Sequence, residues 1–400
     1  MALQPAAGAR DLNPREVEHN RWICTQLAGV YRLWGYQEVA PPHFEHLSTL
    51  EAGGGIDGRE LVRLAADEPL GLRPELTASI ARAACTRLAS RPRPLRLWAE
   101  GPTYRTQIAD GGQQRIVEEL QSGVELLGEA SAAADAELLR LLLAASAAVG
   151  LGPAHRPRLL LGHHALLAGL LGQLPEAQQP AARAALTSFD PLALSQLPLP
   201  ETERQRLSAL MRLRGEPLRV LYQLEQWLGP LPPLTQLADT LALIAGAAER
   251  LGVVVQLDPT FQPHFALYDG LVLKLVCQGA TAPLEVASGG RYDAWWVASG
   301  ASLSRRASRR RAWASASTWQ PCGSCWLPRS TAPAPPGPRS WPWPSRTCCA
   351  APSMSWRPCT GPAGGGAAWQ PAGEHGGGRA HRRRTRLQPR SLARSLSTAA

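Results

Sequence analysis

The sequence predicts an α+β protein, an antiparallel sheet flanked by helices, with a helical insertion and a disordered C-terminal tail. Three observations carry that expectation. Residues 115–127 alternate: Glu119, Gln121, Gly123 and Glu125 hold one parity, and Leu120, Ser122, Val124 and Leu126 the other. A period of two is that of a strand with two unlike faces. Strand-like and helix-like runs are mixed along 1–294, mostly without the βαβ alternation of a parallel sheet. Residues 295–400, rich in Arg, Ser, Pro and Trp, show no apolar period. Such a stretch cannot bury enough regular surface to offset its chain entropy.

In chain order, residues 15–34 set Ile23, Leu27, Val30, Tyr31 and Trp34 on one helical stripe, and Gly35 ends the helix. A short strand at 36–39 and the pair Pro41-Pro42 follow. The Gly-rich turn at 51–58 lacks the strand-to-helix context of a phosphate loop, so no nucleotide cradle is read there. Residues 61–64 are expected as a strand. Pro74 and Glu75 are placed in the first turn of a helix reaching about residue 88. There Pro needs no hydrogen bond and an acid suits the helix dipole. Residues 96–105 and 115–127 read as an antiparallel pair joined by the polar loop 107–114. A helix at 137–149, a strand at 158–161, the pair His163-His164 and another helix come next. The Leu- and Gln-rich block at about 175–230, broken by Pro, is the helical insertion. A helix at 234–251 ends at Gly252, and strands are expected at 253–257, 265–276 and 284–287.

The formal net charge of +10 is unevenly spread. The stretch 295–400 holds 16 Arg, no Lys and one acid, Glu374, which leaves 26 basic and 31 acidic residues in 1–294. It also holds nine of the 13 Trp and five of the eight Cys. Arg, Ala, Pro, Gly, Ser, Trp and Cys together are what GC-rich codons yield when read out of phase. The tail therefore reads as a frameshifted translation, with the natural continuation expected in another frame of the coding DNA. In such a tail Arg382-Arg383-Arg384 carries no nucleic-acid reading, and nucleic acid is not expected as a partner. The chain starts without an apolar signal region, and its longest apolar runs, 138–149 and 159–171, are too short to span a bilayer. Cys24, Cys85 and Cys277 are far apart in apolar surroundings, which fits a reducing cytoplasm. Cys322 and Cys325 form a Cys-x-x-Cys with no second pair at zinc-site spacing, so no metal is expected.

Four motifs carry a resemblance. Leu72-Arg73-Pro74-Glu75-Leu76-Thr77, Gly101-Pro102-Thr103-Tyr104-Arg105, Gln121-Ser122-Gly123-Val124-Glu125 and Gly289-Gly290-Arg291-Tyr292-Asp293 follow one another in that order. Together they resemble the catalytic core of class II histidyl-tRNA synthetases. They equally resemble the non-synthetase paralogue of those enzymes, the regulatory subunit of ATP phosphoribosyltransferase. The resemblance runs over roughly residues 5–294 and implies a class II aminoacyl-tRNA synthetase-like core over 1–294. The long first helix, strand and prolines resemble the dimer-forming first motif, which implies a homodimer; the pattern alone fits a plain surface helix packed on its own sheet equally well.

A histidine pocket needs anions or amide oxygens for the ammonium, a cation for the carboxylate and polar partners for the imidazole. By resemblance Glu75, Gln121 and Glu125 are amino-acid contacts, Arg105 is the motif-two arginine, and Tyr268 and Tyr292 close over the imidazole. Taken singly, each has a plainer role: a solvated sheet face, a surface ion pair, half-buried core tyrosines. His163 and His164 are adjacent and cannot face one site on a helix, so capping or surface roles are expected.

Departures from the synthetase pattern separate the two paralogues. Pro263 stands where synthetases carry the arginine that helps activate the carboxylate, and Ala266 stands at an aspartate position. Gln107 replaces the acid that helps hold adenine, and Glu119 replaces the phenylalanine that stacks on it. Losing these groups removes electrostatic stabilisation of adenylate formation. The resemblance thus implies a regulatory subunit with no catalytic residues and no cofactor. It would join the catalytic subunit of short-form ATP phosphoribosyltransferase, a glycosyltransferase complex, in the first step of histidine biosynthesis, with histidine as feedback ligand. The alternative is a divergent histidyl-tRNA synthetase forming histidyl-adenylate. That enzyme would add an anticodon-binding domain, and residues 295–400 do not read as one.

Overall fold

The computed structural model describes residues 5–52, 56–108, 112–261, 268–279 and 281–293. The expectations for the tail, for Pro263 and Ala266, and for Cys322 and Cys325 fall outside the described residues.

Helix α1 (Pro14–Leu33) begins at a capping box: Asn13 Oδ1 accepts from Glu16 N and a Glu16 carboxylate oxygen accepts from Asn13 N, with Pro14 in the first turn. Its expected stripe buries Ile23, Leu27 and Tyr31. Strand β1 (Gln37–Glu38) follows, then the three-residue strands β2 (Phe44–His46) and β3 (Leu70–Leu72), which pair with each other, and between them the short α2 (Leu47–Ala52). Residues 61–64, expected as a strand, make a bridge from Arg63 to Gly71 instead. Their backbone touches β3 at Val62 and Leu64, so the apolar run is buried beside the sheet without joining it as a strand.

Helix α3 (Thr77–Cys85) is shorter than expected at both ends. Pro74 and Glu75 lie before it, and the Glu75 carboxylate folds forward to accept from Thr77 N and Ala78 N. An acid at that point satisfies two of the donors a helix start leaves open. Strands β4 (Leu95–Ile108) and β5 (Gln114–Leu127) form the expected antiparallel pair, in register from Leu95 opposite Leu127 to Ile108 opposite Gln114. Helix α4 (Ala132–Ala148) is apolar on nearly every side and correspondingly buried.

After β6 (Arg158–His163) come α5 (His164–Leu171) and the insertion: α6 (Gln179–Thr187), α7 (Pro191–Ser195), α8 (Glu201–Arg212) and α9 (Pro217–Leu228). Helix α10 (Pro232–Arg250) leads to β7 (Val254–Leu257), β8 (Leu271–Gln278) and β9 (Pro283–Gly290).

The strands make two main sheets, β1-β4-β5 and β7-β6-β8-β9, beside the β2-β3 pair. The expected antiparallel pairing holds for β4-β5, β6-β8 and β8-β9, but β1-β4 and β6-β7 are parallel. A parallel neighbour needs a long crossover, and α5 to α10 supply it between β6 and β7.

Parity along the hairpin sorts the core. Trp98, Val124 and Leu126 turn to a large core with α1, α4, the insertion and α10. Leu97 and Ala99 turn the other way, to a smaller core with α3, Tyr268, Val272 and Tyr292. The candidate site belongs to that second side. No helix among the described residues is long and apolar enough to cross a membrane.

Candidate functional site

Gln121 and Glu125 project from β5 on the parity shared with Glu119 and Gly123, and both are buried. Gln121 Oε1 accepts from Leu76 N at 2.9 Å, which ties the strand to the residue just before α3. Glu125 Oε2 accepts from the Tyr292 hydroxyl at 2.7 Å. Burial pushes the Glu125 carboxyl up to about 8, against the Tyr292 hydrogen bond, and nearby Glu75 adds to the rise. Burial also holds the Tyr268 and Tyr292 phenols above their ordinary range, with Glu125 as the next cause.

Two glycines explain how the tyrosines reach this place. A Cβ on Gly290 would lie 2.7 Å from the Tyr268 ring, and one on Gly270 would lie 2.5 Å from Arg291 Cδ. Only glycine leaves room for the ring and the guanidinium stem to cross the strand ends. Arg291 reaches the Asp135 carboxylate at the start of α4 and donates from Nη1 to Asp293 at 3.1 Å. Asp135 also accepts from Gln236 of α10 at 3.0 Å, and the side chains of Arg291 and Asp135 are 7% and 5% exposed. Tyr292 is therefore carried by a buried charge network.

The structure brings five of the six expected residues to one neighbourhood: Glu75, Gln121, Glu125, Tyr268 and Tyr292. Arg105 joins through the backbone, its Nε donating to Pro74 O at 3.1 Å. Glu75 differs from expectation in one respect, since its carboxylate is engaged by the start of α3. His163 caps α5, its Nδ1 accepting from Ala165 N at 3.1 Å. Burial, with Arg291 nearby, presses its pKa down to about 4, so it is neutral there. No group of three or more His, Cys, Asp or Glu among the described residues is placed to hold a metal ion.

Sequence reasoning passed over Arg73, Arg291 and Asp135. The first two sit inside the quoted motifs, and Asp135 is one of three charged residues, with Glu137 and Arg140, in an Ala- and Leu-rich helix. An acid in so apolar a helix was the available signal, because a charge there is buried only with a partner.

Chemically, the arrangement is a buried carboxyl, an amide and two phenols beside a second acid, with one arginine at the edge. Such a set suits a small ligand that brings its own positive charge and ring donors.

The family model described as histidyl-tRNA synthetase matches residues 8–306. The chain is 55% identical over 293 residues to the ATP phosphoribosyltransferase regulatory subunit of Synechococcus sp. (strain CC9902), covering 73% of this chain and 75% of that one. Its identity to the protein of the same name from Synechococcus sp. (strain RCC307) is 54% over 294 residues, with 74% and 75% covered. Among solved structures it is similar to an ATP phosphoribosyltransferase regulatory subunit/histidyl-tRNA synthetase from Bacillus halodurans C. That likeness has a TM-score of 0.68 and 26% identity, and covers 80% of this chain and 82% of the other.

Proposed function

The chain belongs to the histidyl-tRNA synthetase family, among its ATP phosphoribosyltransferase regulatory subunits, and on that premise we propose that it activates a short-form catalytic subunit and senses histidine. Its fold is class II aminoacyl-tRNA synthetase-like. The observation that carries the reading is identity above one half to proteins named as regulatory subunits, over 293 residues. In this reading the chain has no chemistry of its own. The glycosyltransferase activity belongs to the complex, which performs the first step of histidine biosynthesis in the cytoplasm. The chain works as a homodimer within a hetero-oligomer, without nucleic acid. Histidine binds at Glu75, Arg105, Gln121, Glu125, Tyr268 and Tyr292. The functional core is 1–294 with its insertion at about 175–230, and 295–400 is a translation out of frame.

The same hairpin supports the absence of adenylate chemistry. Glu119 shares the face of Gln121 and Glu125, and a carboxylate where an adenine would stack offers neither an apolar platform nor charge complementarity to phosphate. Histidine-dependent exchange of pyrophosphate into ATP tests this. The purified chain should show none above a protein-free control. Exchange that needs histidine would return the chain to the synthetases.

A further inference from the structure

We propose that Arg73 is the positioning residue of the candidate site, setting segment 73–76 and through it Glu75, Gln121 and Arg105. The inference deepens the reading of these residues as a ligand site and rests on it for the identity of the ligand.

Arg73 is among the most deeply buried large side chains, at 1% exposure. Its Nε donates to Pro102 O at 2.9 Å, and its Nη1 to Pro41 O at 2.8 Å and Pro42 O at 3.3 Å. Strand β1 covers the outer edge of β4 only opposite Leu97 and Trp98. Further along that edge Arg73 takes over: its side chain serves Pro102 O, and its own carbonyl accepts from Tyr104 N at 2.9 Å. Its amide donates to His43 O at 2.9 Å. One residue thus joins three pieces of chain where no strand runs.

The three residues that follow all meet the candidate site. Pro74 O receives Arg105 Nε, the Glu75 carboxylate receives Thr77 N and Ala78 N, and Leu76 N is held by Gln121 Oε1. A shift of this segment moves three of the six candidate residues together. The guanidinium fits by close contact as well: a Cβ on Gly101, whose φ is +150°, would lie 2.4 Å from Arg73 Nη2. A planar fork reaches carbonyls in two directions at once, and an ammonium on a flexible stem does not.

The test uses Arg73→Lys, Arg73→Met and the milder Gly101→Ala in the full chain. Amide hydrogen exchange is read at Leu76, Thr77 and Ala78 against β6 and β8, and histidine affinity is read by calorimetry. Exchange at the three amides should rise roughly tenfold or more while β6 and β8 stay as in the wild type, and Lys should fail as Met does. Histidine affinity should fall by a similar factor. Should the Arg73 variants not fold, Gly101→Ala still has to show the local rise. Wild-type exchange at the three amides in Arg73→Lys, or a rise spread equally over all strands, would overturn the proposal. So would a local rise that leaves histidine affinity intact. A local rise in a wild-type background that binds no histidine would keep Arg73 as the positioning residue and remove the histidine reading alone.

Discussion

Asp135→Ala should lower folding stability by about 3 kcal/mol, at the lower end of the 3–5 kcal/mol seen when one member of a buried ion pair is removed. The lower end applies because Arg291 keeps its hydrogen bond to Asp293, which is more exposed than Asp135. Gln236 Nε2 on α10 also loses its acceptor. The thermal midpoint should fall by roughly 5 °C. The double variant Asp135→Leu with Arg291→Met should recover most of that, since it removes both charges from the interior. Thermal unfolding of the three proteins decides it. An unchanged midpoint in Asp135→Ala would show that the contact contributes nothing to the fold.

Glu125→Ala should weaken histidine binding ten- to hundredfold. A hydrogen bond to a charged group is worth about 1.5–3 kcal/mol, and about 1.4 kcal/mol is a factor of ten. The pH dependence gives a second handle. Burial raises this carboxyl to about 8, so the folded chain holds a proton that the unfolded chain has released at neutral pH. The stabilisation is fully present below the usual carboxylate range and is lost as pH rises through about 8. An ammonium ligand needs the ionised form, so histidine binding should release a proton and tighten as pH rises toward that value. Glu125→Gln keeps a neutral partner for Tyr292 at every pH. It should fold as the wild type does below the usual carboxylate range, gain on it as pH rises toward about 8, and bind histidine weakly without the proton release. Calorimetry in two buffers of different ionisation enthalpy reads the proton count. Equal histidine affinity in the wild type and both variants would place the binding site elsewhere.

What the sequence revealed follows a physical line. The β4-β5 pair was legible because its alternation is long, and parity alone assigned Gln121 and Glu125 to one face and Val124 and Leu126 to the other. The α1 stripe and the insertion were legible for the same reason, a period sustained over several turns. Three-residue strands carry no such signal. Leu61 and Val62 are as buried as strand residues, yet the pairing went to Leu70–Leu72. The parallel place of β7 beside β6 was hidden because the choice is made across six intervening helices. At the site, residue types pointed to a pocket, but the direction of each side chain did not follow from them. Glu75 turns to its own helix, and the partnership of Arg291 with Asp135 spans 156 positions. Side-chain networks over such separations are set by packing of whole elements, which local pattern does not encode.

The central claim is tested most directly by restoring the reading frame after codon 294, mixing the purified chain with a short-form catalytic subunit of ATP phosphoribosyltransferase and measuring phosphoribosyl-ATP formation with and without histidine. The account predicts little turnover by the catalytic subunit alone, a large increase on adding the chain, and inhibition of that increase by histidine. Glu125→Ala should activate as well as the wild type while needing roughly ten- to hundredfold more histidine for the same inhibition. A folded chain that forms no complex with the catalytic subunit and leaves its turnover unchanged would contradict the account.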